Sequence, residues 1–379
     1  MDANVMLANN GDAHSLTNQP APVRPRVPEL SSWIQARAEQ LDLDCQLAPH
    51  ILPQLGQAGL FRIGVPTDIG GSGGTILHAI EAIAAIAEDS LAAAFVFWGQ
   101  RAFIECLLQS ENTALRTSLL PSLLSGELAG AVGLSNAMKF LSNMEALQIS
   151  AVALHSAGGV QRWKLNGSLP CVTNLRPEGF VTAIATDHTD GRPPSILAVP
   201  NQVQGVSRSD DLDLIALRST NTAGLCVKDA VVDERFQVAS NAPDFLAGVR
   251  PNFLGLQCGL SIGLARRSLK ALDSTGATAR AAVGEDGRVL EAELHGLVLD
   301  LVDGISTGEF VAKPKQLFSL RLLLAALVDE AITLEVHATG GRGYIRGQAE
   351  VARRRREAAF IPIVTPSVVQ IRNLLENSG

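Results

Sequence analysis

The sequence predicts an α+β fold made of an N-terminal helical domain, a central β domain and a C-terminal domain like a four-helix bundle. From about Leu30 to Leu128, apolar residues recur at steps of three and four, which is the period of a helix. Between about Gly130 and Val238 the pattern changes to short apolar runs separated by Gly, Pro, Asn and Asp, as in strands and turns. From Phe253 onward the helical period returns in long segments.

These changes of period give the expected domain limits. We expect a flexible leader over residues 1–28, because that segment is rich in Asn, Pro and small polar residues and lacks the pattern of a signal peptide. The N-terminal helical domain is expected over residues 29–129, the β domain over 130–238 and the C-terminal helical domain over 239–379.

Three stretches carry the clearest signals for single elements. Val181–Ala185 and Ser195–Val199 are short runs of β-branched and apolar residues, and each predicts a buried strand. Lys315–His337, rich in Leu and Ala, predicts the clearest long helix. At least three helices are expected before the first strand.

Charge and composition favour an enzyme over a nucleic-acid-binding protein. The formal net charge is −7, with 31 Lys and Arg residues scattered among 38 Asp and Glu residues, whereas phosphate binding requires a clustered positive surface. The only basic run is Arg353 to Arg356, and we expect it to form a solvated helix face rather than an anion site. The expected partner is therefore a small-molecule substrate, with no nucleic acid.

The five cysteines are irregularly spaced and include no CxxC pair. This spacing fits buried thiols in a reducing cytoplasm, and it predicts neither a disulfide framework nor a metal site. No stretch approaches the roughly 18 consecutive apolar residues of a membrane span, so no membrane association is expected. No GxGxxG follows a strand, so a Rossmann-type nicotinamide site is not supported either.

Motifs near both ends resemble those of the acyl-CoA dehydrogenase family. His337–Tyr344 and Arg356–Ala358 are similar to its C-terminal flavin-binding signature. Gly59–Pro66, followed by Gly70–Gly73, is similar to an early glycine-containing stretch of the same family. The resemblance implies that family's fold, an FAD cofactor bound between a β domain and helices, and an oxidoreductase activity.

Two segments of the β domain match the part of the family that lies beside the flavin ring. Leu134 and Ser135 lie in a degraded form of the family's "LTE" motif, so the resemblance implies that Ser135 bonds the flavin. Cys171 stands where the family usually has an aromatic residue, and Thr173 stands where it has a hydroxyl beside the flavin. Taken alone, both segments also fit ordinary turns of a β-sheet.

Two further segments would complete the cofactor site of a neighbouring subunit. Arg280 stands at the arginine of the family's "R-x-x-F-G" motif, which meets the phosphates of the dinucleotide. His337, Gly340 and Gly341 lie in a segment similar to "Q-i-f-G-G-n-G", where glycine backbone approaches the cofactor closely. The resemblance therefore implies a homodimer or a homotetramer.

The family's catalytic glutamate is missing from this sequence. Counted from Arg356–Ala358 without gaps, its position falls on Thr365, and the same stretch contributes Ser367 as a candidate cofactor contact. Some members of the family carry the base on an earlier helix, but Ala247–Lys270 contains no Asp or Glu. Loss of a general base costs about 10²–10⁴ in rate, so we expect desaturation of an acyl-CoA by the standard route to be poor.

Three interpretations of function follow from this missing base. The first is an FAD-dependent oxidoreductase that acts on an acyl thioester, with acyl-CoA as a candidate, or on a related substrate through an unidentified base. The second resembles the monooxygenase branch of the family, and the smaller Cys171 would suit oxygen access there. The third is a scaffold subunit without catalysis. His337, Tyr344, Trp98 and Gln100 are further candidates, but none is expected to carry the chemistry.

Overall fold

The computed structural model describes residues 24–25, 27–154, 159–345, 347 and 350–376. Most of the leader predicted over residues 1–28 lies outside the described residues. Within them, helices are followed by a mixed sheet and then by more helices, which confirms the predicted α+β fold. The strands run from Ala129 to Ala239, and the division of the chain into domains at residues 129 and 238 stays a prediction.

Helices form both ends of the described chain, and one short helix interrupts the strands. The helices before the first strand are α1 (Pro28–Gln35), α2 (Ala38–Leu43), α3 (Ala48–Gln57), α4 (Ile76–Asp89), α5 (Leu91–Gln109) and α6 (Thr113–Ser125). The short helix α7 (Ser135–Leu141) follows the first strand. The helices after the last strand are α8 (Ala242–Ala271), α9 (Ala277–Ser306), α10 (Glu309–Ala312), α11 (Pro314–Thr339), α12 (Val351–Ala358) and α13 (Val368–Glu376).

The β region is one mixed sheet. Its strands are β1 (Ala129–Gly133), β2 (Ile149–Leu154), β3 (Arg162–Val172), β4 (Phe180–His188), β5 (Ser195–Pro200), β6 (Val206–Asp211), β7 (Ala223–Asp233) and β8 (Gln237–Ala239). The order is β6-β7-β3-β2-β4-β5-β8, and β1 also pairs with β4. Both β1 and β2 run parallel to β4, with β1 along Phe180–Ile184 and β2 along Asp187–His188. The other pairings are antiparallel.

Three glycines on one face of α8 allow this helix to approach α4 closely. Gly255, Gly259 and Gly263 recur at steps of four, so they share one side of the helix. A Cβ atom added at Gly263 would lie 2.1 Å from the backbone oxygen of Ala84, and one added at Gly259 would lie 2.7 Å from that of Ile80. These separations are shorter than any van der Waals contact. The absence of side chains at these glycines therefore allows α8 to pack closely against α4.

The basic run does not form a solvated helix face, so that expectation is wrong. Arg353 and Arg354 are each only 3% exposed on α12, where they bond the carboxylates of Glu357 and Glu335. The next two arginines also meet acidic partners on neighbouring helices, Asp329 for Arg355 and Asp42 with Glu39 for Arg356. The run is neutralised by carboxylates from α2, α11 and α12, and it fixes α12 against the helices on either side.

Helix α5 is the central core helix of the N-terminal region. It begins after Ser90, whose hydroxyl accepts a hydrogen bond from the N–H of Ala93, as an N-cap residue does. Among the described residues, α5 is the one helix long and apolar enough to cross a membrane, and 94% of that stretch is buried inside the protein. Such burial is also found for the core helix of a globular domain.

Candidate functional site

A cavity of about 430 Å³ lies where the sheet meets α5, α8 and the end of α12. The β region contributes the end of β1, the start of α7, the end of β3 and the segment before β7. The helices contribute α5, α8 and residues 356–365. This volume is within the range of pockets that bind small molecules and cofactors.

The wall from the β region carries hydroxyl groups. Ser135 is the first residue of α7, and it follows the buried Leu134 at the end of β1. Thr173 follows the last residue of β3, and its Oγ1 lies 3.0 Å from Oγ1 of Thr222. Oγ1 of Thr222 in turn lies 2.7 Å from Oγ1 of Thr220. Hydroxyls can donate and accept hydrogen bonds, so this wall suits a polar ring or amide edge of a ligand.

The wall from the helices is aromatic. The rings of Phe95 and Trp98 on α5 are stacked, with centroids 5.2 Å apart. Phe253 of α8 meets Trp98 edge to face at 5.3 Å, and Phe360 meets Phe95 edge to face at 4.5 Å. Such pairs stabilise each other by about 0.5–1.5 kcal/mol beyond the burial of their area. The wall is therefore apolar and held by ring contacts among three different segments.

A buried amide network joins α5 to the β region behind the cavity. The amide nitrogen of Asn174 donates to Oε1 of Gln100 at 3.0 Å and to the carbonyl of Gly130 at 2.9 Å. The N–H of Gly130 donates back to the same Oε1 at 2.6 Å. Asn174 has a φ of 66°, a left-handed conformation that Asn adopts more readily than most residues. Gln100 is thus a structural residue outside the cavity lining, whereas Trp98 is both core and lining.

The loop that contains Thr365 is held through its backbone. The side-chain amide of Gln257 donates to the carbonyl of Thr365 at 3.0 Å, and its Oε1 accepts from Nε of Arg321 at 2.9 Å. The same guanidinium donates to the carbonyl of Ile361 at 2.9 Å. Arg321 is 1% exposed, and burial lowers the pKa of its guanidinium. These contacts fix the loop while leaving the Thr365 side chain among the cavity-lining groups.

Every charged side chain in the described lining is paired. Lys139 and Glu145 form an ion pair at 3.2 Å, and Glu145 also accepts a hydrogen bond from the amide of Asn136 at 2.8 Å. Arg356 contacts Asp42 at 2.8 Å. Glu145 is the only carboxylate in that lining, which also contains no histidine. Among the described lining residues, the cavity therefore offers no unpaired carboxylate and no histidine to act as a general base.

The buried carboxylate of Asp42 accepts a hydrogen bond from the guanidinium of Arg356, which lines the cavity. Burial, followed by the nearby charge of Glu357, raises the pKa of this carboxyl to about 6. The N–H of Leu217 and the guanidinium of Arg356 both bond the carboxylate and oppose that rise. The acid joins α2 to α12 and to the segment that lines the cavity ahead of β7.

The structure brings together about half of the site residues predicted from sequence. Leu134, Ser135, Cys171, Thr173 and Thr365 all line the one cavity. Their assignment to a flavin stays a prediction. Cys171 reaches solvent at the cavity, yet partial burial raises the pKa of its thiol.

The other predicted residues lie away from this cavity in the single chain. Arg280 is exposed near the start of α9, and its guanidinium donates to the carbonyl of Asp273 at 2.9 Å. His337, Gly340 and Gly341 are exposed around the end of α11, where Gly340 has a φ of 61°. Ser367 is half-buried, and its Oγ accepts a hydrogen bond from the N–H of Gln370 at the start of α13. Two other candidates lie outside the lining: His337 again, and Tyr344, which is 97% exposed.

Sequence reasoning missed several residues of the site. Thr220 and Thr222 lie in a short polar run between two strands, and that run was their only local signal. Asn136 lies in α7 and its side-chain amide donates to Glu145, which follows that helix, and neither residue carried a signal in the sequence. Gln257 looked like an ordinary residue of a long helix, and its contact with Thr365 is separated by 108 residues along the chain.

Comparison with known proteins finds similarity to acyl-CoA dehydrogenases. Residues 30–127 match the model of the acyl-CoA dehydrogenase N-terminal domain. The isovaleryl-CoA dehydrogenase of Pongo abelii is 27% identical over 182 residues, which are 47% of this chain and 42% of that protein. This match thus spans less than half of the relative's length. A probable acyl-CoA dehydrogenase of Bacillus subtilis, YngJ, is 27% identical over 68% of each chain.

Solved structures extend the similarity to the whole fold. Butyryl-CoA dehydrogenase from Megasphaera elsdenii superposes with a TM-score of 0.77 at 17% identity, covering 93% of this chain and 94% of that one. Dibenzothiophene monooxygenase from Paenibacillus sp. A11-2 superposes with a TM-score of 0.73 at 16% identity, covering 92% and 94%. The fold is therefore shared with solved structures of proteins named for different activities, a dehydrogenase and a monooxygenase.

Proposed function

We propose that this chain, a member of the acyl-CoA dehydrogenase-like family, is an FAD-dependent oxidoreductase that acts on an acyl thioester or a related small molecule without the usual carboxylate base. One observation carries the proposal. The cavity joins a hydroxyl-lined wall from the β region to an aromatic wall from the helices, and every charged group in its described lining is paired.

The lining suits a flavin ring. Ser135 and Thr173 would hold its polar edge, and the hydroxyl groups on this wall provide hydrogen-bonding partners of the kind that a flavin ring requires. The aromatic wall would leave the opposite side apolar for the substrate. When bound, a flavin supplies the acceptor for a hydride or electrons. The residues of this chain would bind it, orient it and exclude water around it.

The phosphate side of the cofactor would come from a second copy of the chain. Arg280, Gly340 and Gly341 are exposed and lie outside the cavity of their own chain. In a homodimer or homotetramer, Arg280 would supply a fixed positive charge to a phosphate of the neighbour's FAD. The exposed glycine backbone at the end of α11 would allow a close approach of the cofactor.

The paired charges disfavour proton abstraction by the standard route. Thr365 has no useful pKa for this role near neutrality, and Glu145 is already held by Lys139 and Asn136. A flavin monooxygenase is therefore the second candidate function, because oxygen activation on a reduced flavin needs no removal of an α-proton. The fold relationship to dibenzothiophene monooxygenase is consistent with it, and so is the small, solvent-reaching Cys171 at the cavity.

Titration with FAD tests the proposal. We expect saturable binding with a flavin absorbance spectrum and an increase in thermal stability. Arg280→Ala should weaken binding by roughly 10- to 100-fold, since a charge-assisted hydrogen bond contributes about 1.5–3 kcal/mol. Arg288→Ala is the matched control, because Arg288 is an exposed arginine on the same helix whose ion pair is with Glu285. It should bind FAD like the unmodified chain.

Two outcomes would contradict the proposal. A protein that is still colourless after incubation with excess FAD and removal of the unbound cofactor, and that shows no thermal shift, would leave the scaffold interpretation as the better one. Equal affinities in the Arg280 and Arg288 variants would remove the role given to Arg280. Light scattering tests the assembly, for which we expect two or four times the mass of one chain at micromolar concentration.

A further inference from the structure

The three threonines of the cavity wall form a chain of hydrogen bonds whose direction is fixed. The hydroxyl of Thr220 donates to the backbone carbonyl of Leu217 at 2.8 Å, because a carbonyl can only accept. A hydroxyl carries a single proton, so Thr220 has none left for Thr222. In the 2.7 Å contact between these two residues, Thr222 is therefore the donor.

The same reasoning extends to Thr173. Thr222 has used its proton toward Thr220, so the 3.0 Å contact between Thr222 and Thr173 must be donated by Thr173. Thr220 and Thr222 are 1% and 4% exposed, whereas Thr173 is half-buried and ends the chain at the cavity. Its oxygen keeps lone pairs but no free proton. Toward a ligand, Thr173 is thus an acceptor only.

We infer that Thr222 and Thr220 are positioning residues that fix Thr173 as a hydrogen-bond acceptor, and that this polarity makes the cavity bind reduced flavin more tightly than oxidised flavin. The inference rests on the proposed function, since it places a flavin ring against Thr173. Reduction adds protons to ring nitrogens that are acceptors in the oxidised form. An acceptor-only hydroxyl beside such a nitrogen therefore pairs with the reduced ring and leaves the oxidised ring without a donor.

The test compares the dissociation constants of oxidised and of reduced FAD, the latter measured anaerobically. In Thr222→Val, Thr173 loses its acceptor and its proton becomes free to serve the oxidised ring. The ratio of the oxidised to the reduced dissociation constant should fall about tenfold, equivalent to a drop of about 30 mV in the midpoint potential of the bound two-electron couple. Thr173→Val removes the acceptor itself, and it should lower the ratio to a similar extent.

Two controls separate polarity from packing. Thr222→Ser keeps the hydroxyl, so it should restore the ratio of the unmodified chain. Thr182→Val changes a buried threonine of β4 that lies outside the cavity lining and has no hydrogen-bond partner among the described residues, so it should leave the ratio unchanged. A merely structural role of Thr222 would shift both dissociation constants together and leave the ratio alone.

The outcomes distinguish this inference from the proposed function. If the unmodified chain binds flavin but Thr222→Val and Thr173→Val both keep its ratio, the inference is wrong and the proposed function stands. If the unmodified chain binds flavin in neither redox state, both are wrong. If Thr222→Val does not fold, the inference is tested with Thr173→Val, a change at a half-buried residue, and Thr182→Val is its control. The ratio of dissociation constants then decides in the same way.

Discussion

The side-chain amide of Gln257 donates a hydrogen bond to the backbone carbonyl of Thr365 over 3.0 Å. Gln257 is itself bonded by the buried guanidinium of Arg321. The loop is therefore held by contacts that do not involve the Thr365 side chain, which occupies the position that the sequence resemblance predicts for the family's base. A substitution at Thr365 can change the chemistry of the cavity without removing what fixes the loop.

Thr365→Glu is expected to introduce weak acyl-CoA dehydrogenation in the FAD-loaded protein. The new carboxylate would lie in the cavity, and a positioned general base contributes about 10²–10⁴ in rate. Thr365→Gln has the same shape without a basic carboxylate, and it should stay inactive. Anaerobic bleaching of the flavin absorbance by acyl-CoA measures the difference. Equal rates in both variants would show that a carboxylate at this position does not reach the substrate.

Asp42 should make the folded state less stable as the pH rises from 4 to 7. Its pKa in the folded protein is about 6, above the ordinary 3.8. The protonated Asp42 therefore contributes fully to the free energy of unfolding below pH 3.8. This contribution, about 3 kcal/mol, is lost as the pH rises through about 6. Asp42→Asn retains an acceptor for the N–H of Leu217 but cannot titrate, so its free energy of unfolding should change less over this range.

Urea unfolding at several pH values measures this dependence. Asp44→Asn, the same change at a half-buried acid that accepts a hydrogen bond from the local N–H of Gln46, is the control. A slope in Asp42→Asn equal to that of the control would mean that Asp42 titrates in the folded state much as it does in the unfolded chain.

Two glycine substitutions on α8 should have opposite effects on stability. Gly263→Ala would place a Cβ atom 2.1 Å from the backbone oxygen of Ala84 and force α4 and α8 apart, at a cost of about 1–3 kcal/mol or more. Gly248→Ala lies on the same helix with no atom within 4 Å of the new Cβ atom, so it should stabilise by about 0.4–1 kcal/mol. Thermal and urea unfolding of both variants would measure the pair. A neutral effect of Gly263→Ala would contradict the close approach of these helices.

Cys171 should react with a thiol reagent more slowly when FAD is bound. The thiol reaches solvent at the cavity, but its raised pKa keeps the reactive thiolate scarce near pH 7. Labelling should therefore accelerate as the pH is raised. Cys226 is also exposed but lies outside the cavity lining, and it serves as the internal control in the same sample. Mass spectrometry of both peptides, with and without FAD, gives the result. Equal protection of Cys226 would point to a general tightening of the fold instead of a ligand in the cavity.

The local periods of the sequence predicted the fold well, because they reflect which face of each element is buried. The helix expected over Lys315–His337 is α11, which extends it by one residue at the start and two at the end. The strand expected over Val181–Ala185 lies within β4. Both segments bury most of their apolar residues, and the spacing of apolar residues in the sequence reflects this burial.

The site was less predictable because its contacts join distant segments. Thr173 and Thr222 are 49 residues apart and meet only through the pairing of β3 with β7. The expectation for Arg353 to Arg356 was wrong for a similar reason, since several of their acidic partners lie on α2 and α11 and carry no signal near the run itself. The sequence motifs pointed to Ser135 and Cys171, which both line the cavity. The hydrogen bonds among its threonines could not be predicted from sequence, because they depend on how distant segments pack.

The most direct test of the account is anaerobic stopped-flow mixing of the FAD-loaded, unmodified protein with a panel of acyl-CoA thioesters. The central claim is that this cavity holds a flavin but offers no unpaired carboxylate or histidine in its described lining to remove an α-proton. We expect no bleaching of the flavin on the timescale of an ordinary dehydrogenase, with any reduction slower by about 10²–10⁴. Bleaching at rates typical of enzymes, roughly 1–10³ s⁻¹, would show that another residue acts as the base and would contradict the claim.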